Sequence, residues 1–269
     1  MDILSIIVLG IVQGITEWIP VSSKTQDTFV YLQFLHGDPS SVVPVLLYLH
    51  IGTVIAAIVY FRRELLALAS AFLARPADFR AHADGKIGFL FAALLGTGLV
   101  GLPLLLMERE FLPGLDAGLL LAAMGIGLFV TGFLLLRQKG AKMRTGAKAG
   151  WKDGIFTGLL QGLSILPGVS RAGTSTTGLI WRGFDSESSF HLSFLLSIPT
   201  VILAELVFYV GGGITAFPVA DGLLLALSSL VFGYLALDAI LIIVKKVNLA
   251  YVVFALGAIM LAAGLSGAG

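Results

Sequence analysis

Apolar stretches of bilayer-spanning length constrain this chain more than any other feature. A helix needs about 20 mostly apolar residues to cross the hydrocarbon core. Six stretches approach or meet that need: Val42–Phe61, Ile87–Met107, Ala117–Leu136, Leu192–Val210, Leu223–Val244 and the shorter, Gly-rich Leu249–Ala263. Two further apolar segments, roughly Ile3–Phe34 and Gly154–Phe184, are broken in their middles by Pro, Gly, Ser and charge. Charged residues make up only 12% of the chain, about half the roughly 25% that a soluble domain carries. That shortage excludes a soluble enzyme, a nucleic-acid binder and a disordered scaffold. The chain reads as an all-α integral membrane protein surrounded by membrane lipids, with no nucleic-acid partner. It has no cysteine, which removes disulfides, thiolate metal sites and a cysteine nucleophile. The first segment has no basic leader and carries Glu17 and Lys24, so it does not read as a cleavable signal.

Loop charge sets the orientation. Arg62, Arg63, Arg75, Arg80 and Lys86 follow the first clean span, and Arg137, Lys139, Lys142, Arg144, Lys148 and Lys152 follow the third. Lys245 and Lys246 follow the fifth, whereas the intervening loops hold Glu108, Glu110, Asp116 and Asp221 with Arg109 as their one base. By the positive-inside rule the basic loops are cytoplasmic. In a cell (cytoplasmic) membrane both termini and the Gly211–Gly222 loop then lie outside. Parity requires Gly154–Phe184 to enter and leave by the cytoplasmic face, and Ile3–Phe34 by the outer face. At about thirty residues each, neither can cross twice. The expected architecture is six transmembrane helices plus two oppositely oriented re-entrant half-helix hairpins.

The two broken segments also match each other. Gly10 to Thr16 (GIVQGIT) aligns with Gly158 to Ser164 (GLLQGLS), and Val21-Ser22 aligns with Val169-Ser170. Ile51 to Ile55 (IGTVI) aligns with Ile198 to Ile202 (IPTVI), at an offset that agrees to within one residue. Copies entering from opposite faces make an inverted-topology repeat, in which sites form where broken helices meet near the midplane. The expectation is a single membrane domain, 1–269, with repeats of approximately 1–136 and 150–269 joined by the basic loop. Irregular backbone at membrane depth must be buried in protein or line a cavity, which places a site between Pro20–Gln26 and Pro167–Ser175.

Residue chemistry there suits phosphate. Gln13 and Glu17 are spaced i, i+4 and share a helix face. The second segment reads Pro167, Gly168, Val169, Ser170, Arg171, Ala172, Gly173, Thr174, Ser175. Glycines admit a ligand close to the backbone, and a half-helix N-terminus is a ready anion site. Arg171 adds a planar fork suited to phosphate oxygens. Glu17 is read as the only carboxylate in the inner part of the first hairpin. Ionisable groups at such depth are functional-site hypotheses by default, although Arg171 and Glu17 could also form a purely structural pair. Lys24 is open between the site and the outer surface. Glu205 and Asp238 read as interhelical hydrogen-bond groups, and Ser164, Thr16, Ser188 and Ser189 as packing or capping residues. His36, His50, His82 and His191 lack metal-ligand spacing and read as bystanders. Trp18, Trp151 and Trp181 read as interfacial anchors.

At these two segments the sequence resembles the undecaprenyl-pyrophosphate phosphatase family of the bacitracin-resistance type. That family carries E/Q-G-x-T-E-x-x-P-V-S-S-x-x-H and P-G-x-S-R-S-G-x-T. Gln13 to Ser23 and Pro167 to Ser175 supply the matching residues, and Ser193 to Pro199 (SFLLSIP) extends the likeness. The resemblance implies hydrolysis of a polyprenyl diphosphate lipid to the monophosphate, with a divalent cation (Mg or Ca), for recycling of a carrier lipid in envelope biogenesis. It implies catalytic roles for Glu17, Ser23 and Arg171, and Glu17 as the metal ligand. Substrate contacts would come from Gln13, Ser22, Gln26, Gly168, Ser170, Gly173, Thr174 and Ser175. A homodimer is left open. Two positions depart from the family pattern: Gln13 is the amide variant of the first acidic position, and Gln26 replaces the usual histidine. Glutamine does not titrate near neutral pH, which leaves attack to Ser23 or a water with Glu17 as base. One carboxylate fewer implies a weakly held cation. A lipid-phosphate transporter or flippase using the same pocket without hydrolysis is the alternative.

Overall fold

The structure, a computed structural model, describes residues 1–76, 78, 82–111, 116–138, 144–210, 217–243 and 249–266. Arg80, Lys139, Lys142, Lys245 and Lys246, residues 211–216 of the Gly211–Gly222 loop and the side chains of Arg109 and Glu110 lie outside what is described. The described elements run α1 (Ile3–Thr16), α2 (Ser23–Phe29) continuing into a π-helical turn (Val30–Phe34), α3 (Val42–Tyr60), α4 (Arg62–Ala74) and α5 (Lys86–Phe111). They continue with α6 (Ala117–Leu136), α7 (Trp151–Gly162), α8 (Arg171–Trp181), α9 (Ser186–Val210), α10 (Val219–Ile243) and α11 (Leu249–Leu265).

Five of these helices, α3, α5, α6, α9 and α10, are long and apolar enough to cross a membrane, and the protein is a multi-pass membrane protein. The sixth expected stretch forms α11, a shorter apolar helix of 17 residues. Acidic caps set where several helices begin. Asp2 accepts from the Ser5 N–H at 2.9 Å and Asp116 from the Leu119 N–H at 2.8 Å, satisfying donors that a first turn leaves free. The basic segment after α3, expected as loop, is helical over α4. Its Leu- and Ala-rich sequence favours helix, and Glu64 sits in the first turn where the helix dipole favours an anion.

Small residues bring particular helices together. A Cβ on Gly14 of α1 would stand 2.6 Å from the Gly233 nitrogen of α10, and one on Gly158 of α7 would stand 2.1 Å from the Ala93 carbonyl of α5. Backbone approach of this kind is how membrane helices gain packing contacts without large side chains. Trp18 departs from expectation. It is 1% exposed, packs on Phe194 with ring centroids 5.4 Å apart, and donates from Nε1 to the Gly233 carbonyl at 3.1 Å. It is a core residue, not an interfacial anchor, because the break after α1 turns it inward. Trp151 and Trp181 are exposed, as expected of anchors.

The ends of the α7–α8 unit meet. Buried Asp153, in the first turn of α7, accepts from Arg144 Nη2 at 2.7 Å and from Arg182 Nε at 2.8 Å, just past α8. The Arg144 guanidinium also lies over the Phe184 ring, 4.2 Å from its centroid. Ahead of α1, the Met1 nitrogen lies 2.5 Å from the Asp221 carboxylate of α10. Outside the spans, Glu64 of α4 accepts from His191 at 2.8 Å and pairs with Lys86. The hydrogen bond from His191, aided by Lys86 and opposed by partial burial, holds its carboxyl down at about 2.

Candidate functional site

The breaks in the two interrupted segments are made by specific residues. Past α1 the chain meets Pro20, which cannot continue a helix. Ser22 then takes a left-handed conformation at φ 59°, and its hydroxyl hydrogen-bonds Thr25 Oγ1 at 3.0 Å. In the second hairpin Gly168 turns the chain at φ +81°, and a Cβ there would meet the Met124 carbonyl at 1.9 Å. Only glycine suits both the backbone angle and the space. Ser170 then caps α8: its Oγ accepts from the Gly173 N–H at 3.2 Å, while its own N–H donates to Thr131 Oγ1 at 3.0 Å. Arg171 thereby becomes the first residue of α8, and Pro20 lies against Gly173, so the two breaks abut.

Across that junction Arg171 Nη2 donates to Glu17 Oε1 at 2.7 Å. The other carboxylate oxygen, Oε2, accepts from Ser23 Oγ at 2.6 Å and from Gln13 Nε2 at 3.3 Å. Gln13 Nε2 also donates to Thr53 Oγ1 at 3.2 Å. Arg171 Nη1 donates to the Ser193 carbonyl at 3.2 Å, and Ser193 Oγ is 2.6 Å from Ser175 Oγ. The Arg171 and Glu17 side chains are 13% and 7% exposed, so this charge pair is largely out of water. A hydroxyl bonded to a carboxylate, next to a guanidinium, is the arrangement of an activated nucleophile with an anion-stabilising group.

Other expected site residues are engaged elsewhere. Gln26 Nε2 donates to the Val21 carbonyl at 3.0 Å and closes the first turn. Thr174 donates to the Ser170 and Arg171 carbonyls at 3.1 and 3.0 Å, and Ser175 to the Arg171 carbonyl at 2.8 Å. The hydroxyls of the second motif are thus spent within α8 and on Ser193. What remains for an anion is Arg171 with the first-turn N–H groups that a helix cannot satisfy internally. Lys24 pairs with Glu108 at 3.7 Å. Asp238 accepts from Tyr60 at 2.5 Å, an interhelical bond as expected.

Two site residues were misread or missed in the sequence. His50 is no bystander: its Nε2 stands 3.6 Å from Glu17 Oε2, and its Nδ1 is 2.7 Å from the Leu46 carbonyl. The usable signal was its position one residue before the repeated Ile51–Ile55 stretch. Glu17 is also not the only carboxylate in the inner hairpin. Asp27 follows Gln26 directly on α2 and is fully buried; its spacing of four from Ser23 was the signal.

The family model described as bacitracin resistance protein BacA matches residues 6–264. A Methanococcoides burtonii protein named undecaprenyl-diphosphatase is 36% identical over 258 residues, covering 93% of this chain and 94% of the relative. A Haloarcula marismortui protein of the same name is 37% identical over 250 residues, 91% of each chain. One from Saccharolobus islandicus is 40% identical over 201 residues, 73% of this chain and 69% of the relative.

Proposed function

From membership of the bacitracin resistance protein BacA family, to which this chain belongs, we infer that it is an integral-membrane polyprenyl-diphosphate phosphatase. It hydrolyses a lipid diphosphate of the undecaprenyl class to the monophosphate carrier. One observation carries the mechanism: Glu17 takes Arg171 on one oxygen at 2.7 Å and Ser23 on the other at 2.6 Å. The terminal phosphate of the substrate competes for the Arg171 fork, which matches two phosphate oxygens at once. Glu17 is then free to accept the Ser23 proton as Ser23 Oγ bonds to the terminal phosphorus. The phosphorus–bridging-oxygen bond breaks, and polyprenyl monophosphate leaves with the electron pair. Glu17 passes that proton to the departing monophosphate and then takes one from a water that attacks the phosphoserine; the Ser23 Oγ–phosphorus bond breaks, and Ser23 regains a proton from Glu17 as inorganic phosphate leaves. Such transfers depend mainly on positioning and charge stabilisation, which Arg171 and the α8 first turn supply.

A divalent cation (Mg or Ca) fits the donor chemistry, since buried Gln13 Oε1 and both Asp27 oxygens have no hydrogen-bond partner among the described residues and hard cations take oxygen ligands. Glu17 lies in the same segment, with its oxygens engaged by Arg171 and Ser23. When bound, the cation would neutralise phosphate charge. The test is phosphate release from a C55 diphosphate by the purified protein, with and without EDTA. Release that EDTA abolishes is expected. Substrate binding with no release under any metal condition would instead indicate a transporter.

The six-span arrangement with two re-entrant hairpins, as one domain of inverted repeats in the cytoplasmic membrane, belongs to this reading. Several observations support it. The Asp153–Arg182 bond ties both ends of the second hairpin together. At 1.5 Å per residue α7 is about 18 Å long, well short of a roughly 30 Å core. Gln13 bonds Thr53, and its repeat counterpart Gln161 bonds Thr200 at 3.0 Å. Likewise α1 packs on α10, whereas its counterpart α7 packs on α5. With no native cysteine, single cysteines report sidedness directly. Gly213→Cys should label from outside and Lys148→Cys from the cytoplasm; a cytoplasmic Gly213→Cys would overturn this topology.

A further inference from the structure

The first hairpin holds a buried carboxyl group that no hydrogen-bond donor reaches among the described residues. Asp27 is fully buried on α2, and neither of its carboxylate oxygens has a hydrogen-bond partner among the described residues. It sits one helical turn past Ser23 on the same face. An ionised carboxylate removed from water persists only if it is paired or coordinates a cation. Glu17 has little to offer as a ligand. A carboxylate has about four lone-pair sites, and Glu17 already faces Arg171, Ser23, Gln13 and His50. Gln13 must turn its nitrogen toward Glu17 and Thr53, both acceptors there, which leaves its Oε1 buried and unpartnered.

Among the described residues, the buried unpartnered oxygens of the hairpin are those of Asp27, Gln13 Oε1 and the Thr28 hydroxyl, and of these only Asp27 supplies a carboxylate. We propose that Asp27 is the carboxylate that holds the divalent cation, with Gln13 Oε1 as a neutral ligand, while Glu17 is kept for Ser23 and Arg171. Asp27 then restores the acidic count that Gln13 lowers. Mg²⁺ commonly takes one or two protein carboxylates and completes its shell with substrate phosphates and water. That fits a site where, among the described residues, no three acidic or imidazole groups gather as a cage. The purpose assigned to the cation rests on the phosphatase reading, whereas its ligand does not.

Binding of Mn²⁺ to the purified full-length protein, followed by the EPR signal of free Mn²⁺, tests the assignment without any turnover. Asp27→Asn keeps the shape and removes the charge. It should weaken Mn²⁺ at least tenfold and abolish the rise in thermal midpoint that Mn²⁺ gives the parent. Its cation-free midpoint should equal or exceed the parent's, because an unpaired buried charge is gone; this also verifies the fold. Glu17→Gln should change Mn²⁺ affinity less than threefold while abolishing turnover. Parent-like Mn²⁺ binding in Asp27→Asn would overturn the proposal and mark Asp27 as a buried, protonated structural acid; so would a parent that binds no Mn²⁺. Asp27-dependent Mn²⁺ binding in a parent that releases no phosphate would leave the site standing and sink the phosphatase reading instead.

Discussion

Replacing Arg171 with alanine separates a catalytic pair from a structural one, because its effects on stability and on turnover have different origins. Losing one partner of a buried ion pair costs about 3–5 kcal/mol, most of it from the charge left behind. Here Glu17 keeps Ser23 at 2.6 Å and Gln13 at 3.3 Å, so the expected loss is nearer 2–3 kcal/mol. Adding Glu17→Gln removes the stranded charge, and the double variant should regain about 1–2 kcal/mol of that loss. Turnover should not follow. Without the guanidinium a donor aimed at developing phosphate charge is gone, a change that lowers rate about 10²–10³-fold, and the double variant recovers none of it. Arg171→Lys restores a charge within reach of Glu17 but cannot bridge two phosphate oxygens. It should stay near the parent in stability and still lose tenfold or more in rate, about one charge-assisted hydrogen bond. The assays are thermal unfolding in detergent and phosphate release from a C55 diphosphate. An Arg171→Ala protein with parent turnover and a lowered midpoint would show that the arginine serves only to pair with Glu17.

Three more changes probe the same design. Glu17→Gln should abolish phosphate release while Gln13→Glu keeps or raises it, measured by the same assay; a Glu17→Gln protein with parent turnover would remove the carboxylate from the chemistry. Gly168→Ala forces a Cβ to 1.9 Å from the Met124 carbonyl at a φ of +81°. Backbone strain alone costs about 1–3 kcal/mol, so size-exclusion profiles should show loss of monodisperse protein. Glu64 has its carboxyl held at about 2 when folded, below its unfolded value near 4.3. Its stabilisation is therefore present above the unfolded value and lost as pH falls from there toward 2. Glu64→Gln should lower the thermal midpoint at neutral pH and flatten its decline across that window; an unchanged slope would count against the His191 and Lys86 pairing.

The parts of this molecule that sequence shows and hides divide along a physical line. Hydropathy is local, so α6 begins and ends where its apolar run does, at Ala117 and Leu136. Glu17 and Arg171 stood out because a charge amid apolar residues needs a partner, and each proves to be the other's. Which way a residue faces beyond a helix break is a tertiary matter. Trp18 thus read as an interfacial anchor although the turn at Pro20 points it into the core, and α4 read as a charged loop although its leucines and alanines favour helix. The motif hydroxyls show a related local preference. Small hydroxyl residues at a helix start bond first to their own backbone, and Thr174 and Ser175 do so. His50 and Asp27 were hidden because neither belongs to a motif, yet His50 reaches Glu17 and Asp27 is buried on the helix that carries Ser23. A site assembled from α1, α2, α3 and α8 can lose a titratable group at one position and carry another from a different helix, since a buried carboxylate responds to what surrounds it and not to where in the chain the neighbour comes from. Gln26 is now a turn-closing donor to Val21, and the imidazole beside Glu17 comes from α3. A substituted motif residue therefore says little about what is missing until the space around the remaining charge has been searched.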